Sequence, residues 1–192
     1  MVTVSAWRNG AGAATGGVGF LLSRRACDSV NIIKPYGSRV LTVSCSPTEA
    51  APVEEAEDFH NTLRQAMNDV PAHHLLLTEG DMNARLGKES EDDPRWYFHT
   101  RTNRNGELLR DTALECDMEI TNIRFRKNTN KMWTYLSDGT LSKGQIDYIL
   151  IRRKWKNSLK NTEAYNTFQS LGSDHRVVVC KVRVSFIKTH RL

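Results

Sequence analysis

The sequence HLLLTEGDMN, residues 74–83, determines the fold class. Its apolar run is typical of a strand buried in a layered sheet. The run ends at Gly80-Asp81, where the glycine lets the chain turn. Asp81 and Asn83 are two residues apart, so we expect them to share one face at the mouth of the sheet. A carboxylate there could take a proton from water. The alternative is a turn in which both side chains only cap the backbone.

Apolar runs on both sides of this segment predict further strands, and two periodic stretches predict helices. The helices are expected over 52–70 and after Asn105, because apolar residues there recur every three or four positions. Asp138-Gly139 predicts a hairpin between the strands that flank it. Many strands with few helices indicate an α/β or α+β layered fold. The strands are expected at 17–23, 38–45, 74–81, 118–126, 131–136, 145–151 and 176–186.

Length and composition restrict the class of protein. The chain has 192 residues, which suits one domain. It has no apolar run of about 18 residues, so we expect no membrane-spanning helix, and we see no signal peptide. The four cysteines are widely separated and form no CxxC pair, which favours a reduced intracellular protein. Residues 1–16 end in a Gly-rich stretch without a phosphate-loop lysine, and we expect a flexible leader.

Charge is distributed unevenly along the chain, whose formal net charge is +5. Residues 49–58 carry five acids and no Lys or Arg. Residues 151–192 carry ten Lys and Arg against two acids. A basic segment of this kind favours a polyanionic partner such as DNA. The alternative is a solvated sheet edge without a partner.

Two more segments place reactive side chains at or in apolar strands. Asp174 and His175 come directly before the run at 177–179. The carboxylate is a ligand type that suits Mg²⁺, and the imidazole carries a proton near neutral pH. Asp147 lies inside a strand that is otherwise apolar, where a carboxylate is costly to bury unless it is paired. Its partner is either a histidine ring or one of the basic residues at 152–154.

Aromatic residues offer one further binding group. Trp133 and Tyr135 occupy alternate positions of a predicted strand. Their rings could stack on a nucleic-acid base, and Trp133 is the candidate substrate-binding aromatic. The alternative is packing in the core or on the face of the sheet.

The three polar segments, in this order, resemble the motifs of the endonuclease/exonuclease/phosphatase superfamily. This superfamily includes deoxyribonuclease I-like enzymes and exonuclease III-type apurinic endonucleases. The resemblance covers about residues 17–186, and longer strings within it are similar to the endonuclease domain of non-LTR retrotransposons and to craniofacial-development-protein-2-like sequences. The motifs that carry it are GDMNARLG at 80–87, QIDYIL at 145–150 and GSDHRVVV at 172–179.

The resemblance implies a four-layered α/β sandwich in which two mixed β-sheets are flanked by helices. Residues 17–186 would form the domain, without the family's first strands, and residues 187–192 would be a tail. It also implies a DNA endonuclease that depends on Mg²⁺ or Mn²⁺, with DNA as its partner, no membrane and an intracellular, nuclear location. The oligomeric state is left open.

The resemblance also implies a role for each residue of the site. Asp81 would activate the attacking water, and Asn83 would orient it and contact the substrate. His175 would stabilise the charge that develops on the phosphate. Asp147 would hold His175, and Asp174 would contribute to metal binding.

One departure from the family pattern predicts impaired activity. The family's chief metal ligand is a Glu on an early strand, yet residues 1–27 contain no Asp or Glu. Cys45 stands where the family has a Tyr near the phosphate. Glu79 could offer a substitute carboxylate, or it could be a solvent-facing residue at the strand end. The alternatives to an impaired endonuclease are an inactive retroelement-derived fragment that binds nucleic acid weakly, and a phosphatase of the same fold.

Overall fold

The computed structural model describes residues 6–8, 14–16, 39–137, 139–165 and 174–183. The strand expected at 17–23 lies outside these residues. Two helices are present, α1 (Val53–Asn68) and α2 (Arg104–Glu115). The strands are β1 (Ala6–Arg8), β2 (Ala14–Gly16), β3 (Arg39–Cys45), β4 (Leu75–Asp81), β5 (Met118–Ile120), β6 (Tyr135–Leu136), β7 (Lys143–Gly144), β8 (Asp147–Arg152), β9 (Leu159–Tyr165) and β10 (Val177–Val182).

The central sheet has the strand order β3-β4-β8-β5. β3 runs parallel to β4, whereas β8 is antiparallel to both β4 and β5. The register aligns Cys45 with Asp81, and Asp81 with Asp147. Since residues opposite each other in a sheet share a face, the last residues of β3 and β4 and the first residue of β8 form a row at one end of the sheet.

One face of the central sheet packs on the two helices. Side chains alternate along each strand, so Leu76 of β4 and both Tyr148 and Leu150 of β8 point to this face. All three are almost completely buried and pack against Leu63 of α1 and Leu109 of α2. This burial of apolar surface is the main stabilising contribution to the domain.

The other face of the sheet carries Asp81 and Asp147, and β10 packs against β8 there. β10 pairs with β9 in a second, antiparallel sheet. The described part of the chain is therefore layered as helices, central sheet and second sheet, which confirms the expected α+β class. None of the helices in the described ranges is long and apolar enough to cross a membrane.

Three local predictions need correction. Helix α2 is capped by Asn103, not Asn105, because the Asn103 side chain accepts a hydrogen bond from the Gly106 N–H at 2.8 Å. The strand expected over 118–126 stops at Ile120 and continues as a 3-10 turn. The predicted hairpin pairs β6 with β7, whereas β8 pairs with β4 and β5 in the central sheet.

The sequence missed two strand pairings. β9 reads LKNTEAY, and its composition is mostly polar. Its buried residues, Leu159, Thr162 and Ala164, do not alternate strictly, because the pairing with β10 is irregular at the Leu159 end. β1 and β2 pair antiparallel within the segment expected to be a leader.

A buried histidine makes the stability of this fold depend on pH. His60 of α1 is 0% exposed, and its Nδ1 lies 2.9 Å from Oγ1 of Thr112 on α2. Burial, followed by the nearby Arg64 guanidinium, lowers the pKa of His60 to about 4. The unfolded chain, where this pKa is about 6.5, therefore binds the proton more readily. The stabilisation is present above pH 6.5 and is lost as the pH falls towards 4.

We expect His60→Gln to remove this part of the pH dependence. Between pH 7.5 and pH 5, the free energy of unfolding of the wild type should fall by about 2 kcal/mol more than that of the variant. Urea unfolding at both pH values measures the difference. His73→Gln, on the exposed histidine of the pair at 73–74, is the matched control and should follow the wild type. Equal falls in the wild type and His60→Gln would contradict the assignment.

Candidate active site

Two strand ends and one incoming strand bring the candidate residues together. Asp81 ends β4, and Asp147 begins β8 directly opposite it. His175 reaches the same place because it forms an isolated bridge with Tyr135 of β6 just before β10 begins. The ligand atoms of Asp81, Asp147 and His175 all lie within 4.8 Å of one another. Residues that are far apart in the sequence are thus brought together at one end of the central sheet.

The imidazole lies between the two carboxylates. Its Nδ1 donates to Asp147 at 3.0 Å to Oδ2 and 3.2 Å to Oδ1. Its Nε2 lies 3.9 Å from Oδ2 of Asp81. The partner of Asp147 is therefore the histidine ring, as one reading of the sequence proposed. Two of the basic residues offered as the other partner are engaged elsewhere. Arg153 pairs with Asp117. Arg152 donates to main-chain carbonyl oxygens, those of Met67, Val70, Pro71 and His74.

The electrostatics of this group favour a cation. Burial opposes the charged form of His175, but the Asp147 hydrogen bond and the surrounding carboxylates together raise its pKa to about 9. Burial and the charge of Asp147 raise the pKa of Asp81 above its usual range, against the opposing effect of the Asn83 N–H. His175 is consequently an imidazolium at neutral pH, and the carboxylates gain from any further positive charge.

Asn83 fixes the carboxylate of Asp81. The Asn83 N–H donates to Oδ1 of Asp81 at 2.9 Å, which is the capping turn that the sequence offered as the alternative. The same residue has a φ of 45°, in the left-handed region that Asn tolerates better than most residues. Its side-chain amide donates to the Ser46 carbonyl oxygen at 2.8 Å. The turn therefore holds the carboxylate of Asp81 in place. The capping hydrogen bond of Asp81 is compatible with a chemical role for the same carboxylate.

Two buried polar residues that the sequence analysis missed hold the start of β8. Asn122 donates to the Asp147 carbonyl oxygen and accepts from the Ile149 N–H, each at 3.0 Å. Thr134 Oγ1 accepts from the N–H groups of Ile146 and Asp147 at 3.0 and 3.1 Å. Both residues are buried, at 5% and 0% exposed. Polar residues between apolar neighbours at 120–123 were the available signal.

The other candidate residues lie beside this group. Asp174 precedes His175, and its charge contributes to the raised pKa values of His175 and Asp81. It is not one of the three residues whose ligand atoms cluster within 4.8 Å. Trp133 is only 3% exposed, and the cationic groups of Lys143 and Arg176 lie over its ring. The faces of this indole are therefore already covered.

Glu79 and Cys45 flank Asp81 on the same face of the sheet. Glu79 lies two residues earlier on β4, and burial raises the pKa of its carboxyl group to about 7. It is therefore not a solvent-facing strand end, and it lies outside the cluster of three ligand residues. Cys45 lies next to Asp81 across the parallel strand pair.

The donor set fits a divalent cation. The carboxylate oxygens of Asp81 and Asp147 are within reach of a single ion, and carboxylate oxygens are preferred by Mg²⁺ and Mn²⁺. The protonated ring of His175 lies beside them and would not be a ligand. Burial first, and then the negative charges of Asp147 and Asp174, raise the pKa of Asp81, and a bound cation would offset both effects. This arrangement can position a water or a phosphate oxygen between a base, an imidazolium and an ion.

Sequence comparison gives distant relatives. No family model matches the chain. It is 27% identical over 152 residues to craniofacial development protein 2 of Bos taurus, and equally to that of Tragulus javanicus. Each match covers 79% of this chain but only 25% and 26% of the relatives, so the chain spans about a quarter of the length of these curated proteins.

Structural comparison gives nucleases. The endonuclease domain of TRAS1, a telomere-specific non-LTR retrotransposon, matches with a TM-score of 0.53 and 15% identity, over 76% of this chain and 59% of that one. The 3′-5′ exonuclease NExo from Neisseria meningitidis matches with a TM-score of 0.59 and 16% identity, over 77% and 62%. The chain thus spans about three fifths of the length of both structures, and it shares their fold.

We expect Asp147→Asn to lower the pKa of His175. Replacing the carboxylate with an amide removes the charge and the charge-assisted hydrogen bond, while the shape of the side chain is kept. The midpoint of the His175 titration should fall from about 9 by at least about 1 pH unit. NMR titration of the ring protons in EDTA measures it. Asp92→Asn, on an exposed carboxylate, is the control. An unchanged midpoint in Asp147→Asn would contradict the pairing.

Proposed function

We propose that the chain is a member of the endonuclease/exonuclease/phosphatase superfamily and a metal-dependent DNA endonuclease of retrotransposon origin. The shared fold and the distant sequence similarity support the superfamily resemblance stated from the sequence motifs. The activity itself is our inference. It rests mainly on the convergence of Asp81, Asp147 and His175 within 4.8 Å.

The three residues of the cluster and the neighbouring Asn83 have separate roles in this proposal. Asp81, the last residue of β4, takes a proton from the attacking water. Asn83 orients that water and contacts a phosphate oxygen, because its turn lies beside the same carboxylate. His175, as an imidazolium, stabilises the negative charge that develops on the phosphate. Asp147 keeps the ring in place and charged through the hydrogen bond to Nδ1.

A divalent ion completes the proposed site. Asp81 and Asp147 are the carboxylates that would hold Mg²⁺ or Mn²⁺, and Asp174 would add a third negative charge nearby. A bound ion neutralises charge on the phosphate and polarises it for attack. Since residues 1–27 contain no acid that could serve as the family's Glu, we expect weak ion binding and slow turnover.

DNA is the proposed substrate, and a nuclear location follows from it. The net charge of +5 and the two nuclease structures that share this fold both support a polyanion. Arg152, offered by the basic C-terminal segment, is 8% exposed and bound to main-chain oxygens, so it is unsuited to phosphate contact. Trp133 would act on the substrate indirectly, by orienting the exposed Lys143 over its ring.

Two other functions compete with this proposal. An inactive fragment that only binds nucleic acid is favoured by the absence of acids in residues 1–27. A phosphatase is suggested by a third match, a structure described as the 3′ phosphatase NExo bound to product DNA hairpin. That match has a TM-score of 0.56 and 16% identity over 75% of this chain and 61% of the other.

We expect the chain to nick supercoiled plasmid when Mg²⁺ or Mn²⁺ is present, and not in EDTA. Asp81→Asn and His175→Ala should each lower the rate by about 100-fold or more, because each removes a group that acts on the water or the phosphate. Gel electrophoresis of the relaxed form over time gives the rates. Asp92→Asn and His73→Ala replace exposed residues of the same types and should retain the wild-type rate.

The other outcomes identify the competing functions. If the wild type binds plasmid but does not nick it with either metal, the inactive fragment is the correct description. If it releases phosphate from a 3′-phosphorylated oligonucleotide without nicking plasmid, the chain is a phosphatase. Nicking that survives both site substitutions would show that the site assignment is wrong.

A further inference from the structure

We propose that Trp96 and Arg126 form a subsite that binds an unpaired DNA base next to the cleavage site. The inference rests on the proposed function, because it concerns which DNA structure the same site accepts. Trp96 is 42% exposed, and the guanidinium carbon of Arg126 lies 5.0 Å from the centre of its ring. Neither residue is used by the catalytic group.

The backbone connects this pair to the active site. The Trp96 N–H donates to the Ile123 carbonyl oxygen at 2.7 Å. Asn122 is the residue before Ile123. Its side-chain amide donates to the Asp147 carbonyl oxygen and accepts from the Ile149 N–H. Trp96 is thus anchored beside the residue that holds the start of β8, on the side where β5 ends.

The segment that follows Trp96 runs along the same end of the sheet. His99 Nε2 lies 3.1 Å from both the backbone nitrogen and the carbonyl oxygen of Gln145, which comes just before β8. The Asn103 N–H donates to the Arg85 carbonyl oxygen at 3.2 Å, just after β4. This rim segment, residues 96–103, therefore passes the ends of β5, β8 and β4 in turn. A nucleic-acid strand that follows it would reach Trp96 on one side of the catalytic group.

Arg126 differs from its basic neighbours in its partners. Arg124 pairs with Glu119 at 3.1 Å, and Lys127 pairs with Glu163 at 3.3 Å. Among the residues that the structure describes, Arg126 has no carboxylate within ion-pair distance, and its side chain is exposed. It therefore holds a positive charge beside an aromatic ring, where a phosphate next to a stacked base would lie.

The chemistry of the pair selects an unpaired base. An indole can stack on any base, because every base has a π-face, and a guanidinium adds a cation–π contribution. A base inside a duplex is covered on both faces by its neighbours, so it must be unpaired or extruded before it can stack on Trp96. Trp133, the aromatic that the sequence offered for this purpose, is 3% exposed and covered by two cations.

A purely structural role for the pair gives different expectations. A surface cation–π contact contributes only slightly to stability and does not distinguish between forms of DNA. Trp96→Ala would then change the free energy of unfolding slightly and leave every DNA affinity unchanged. Binding to different DNA forms therefore separates the two roles.

The test measures binding of the full chain in EDTA, so that cleavage does not interfere. Fluorescence anisotropy gives the Kd for a short labelled single strand, for its blunt duplex, and for the same duplex with one unpaired base. For the single strand and the bulged duplex, Trp96→Ala should raise the Kd by about tenfold or more, and Trp96→Phe should stay close to the wild type. The Kd for the blunt duplex should be unchanged.

Two controls sharpen the result. Tyr165→Ala removes an aromatic ring of matching exposure, 41%, on β9, and should change no Kd. Arg126→Gln should reduce the salt dependence of single-strand binding by about one phosphate contact, a slope change of about 0.7 in log Kd against log salt. Urea unfolding of Trp96→Ala shows whether the variant is folded. If it is not, Trp96→Leu, which keeps apolar bulk but has no π-face, tests stacking.

The possible failures are distinguishable. If the wild type binds DNA and Trp96→Ala weakens no form or weakens all three equally, the subsite is wrong and the proposed substrate stands. If Trp96→Ala is unfolded and Trp96→Leu binds all three forms as tightly as the wild type does, the subsite is likewise wrong. If the wild type binds none of the three DNA forms at low salt, DNA as a substrate is wrong, and the subsite falls with it.

Discussion

Asp81 and Asp147 face each other across two hydrogen-bonded strands, and the site depends on what allows this. Like charges directly opposite each other in a sheet are destabilising, and burial increases the cost. His175 offsets it, because its ring donates to Asp147 at 3.0 Å and comes to 3.9 Å from Asp81. The register of β4 and β8 therefore requires a positive charge at this end of the sheet, and β10 delivers it by bringing in His175.

The surrounding polar residues keep this arrangement rigid. Asn122 and Thr134 take up the backbone hydrogen bonds at the start of β8, where a neighbouring strand would otherwise pair. Because both side chains are buried, leaving either backbone group without a partner would carry the full desolvation cost. At the end of β4, the Asn83 N–H donates to the Asp81 carboxylate and so gives it a hydrogen-bond partner. The carboxylates therefore keep their positions without depending on flexible loops.

Much of the site could be predicted from the sequence, because its members end or begin apolar strands. Asp81 and His175 each border an apolar run, and those runs correspond to β4 and β10. Asp147 was harder, because the sequence offered either a histidine or the basic residues at 152–154 as its partner. The alternation of side chains along β8 favours the histidine, because Arg152 points to the opposite face of the sheet from Asp147. On that face it donates to carbonyl oxygens at the end of α1.

What the sequence could not give is which aromatic ring is exposed. Trp133 lies in a strand-like run beside a polar motif, whereas Trp96 lies in a segment without periodicity, so the pattern favours Trp133. The structure reverses this, because the chain around Trp133 folds under Lys143 and Arg176, and the Ile123 carbonyl oxygen holds Trp96 at the rim. Exposure is decided by contacts between distant segments, and local patterns carry no record of them. The same limit explains Glu79, which is buried at the end of β4 and lies near Cys180 of β10, because the packing of one sheet on another leaves no local pattern in the sequence.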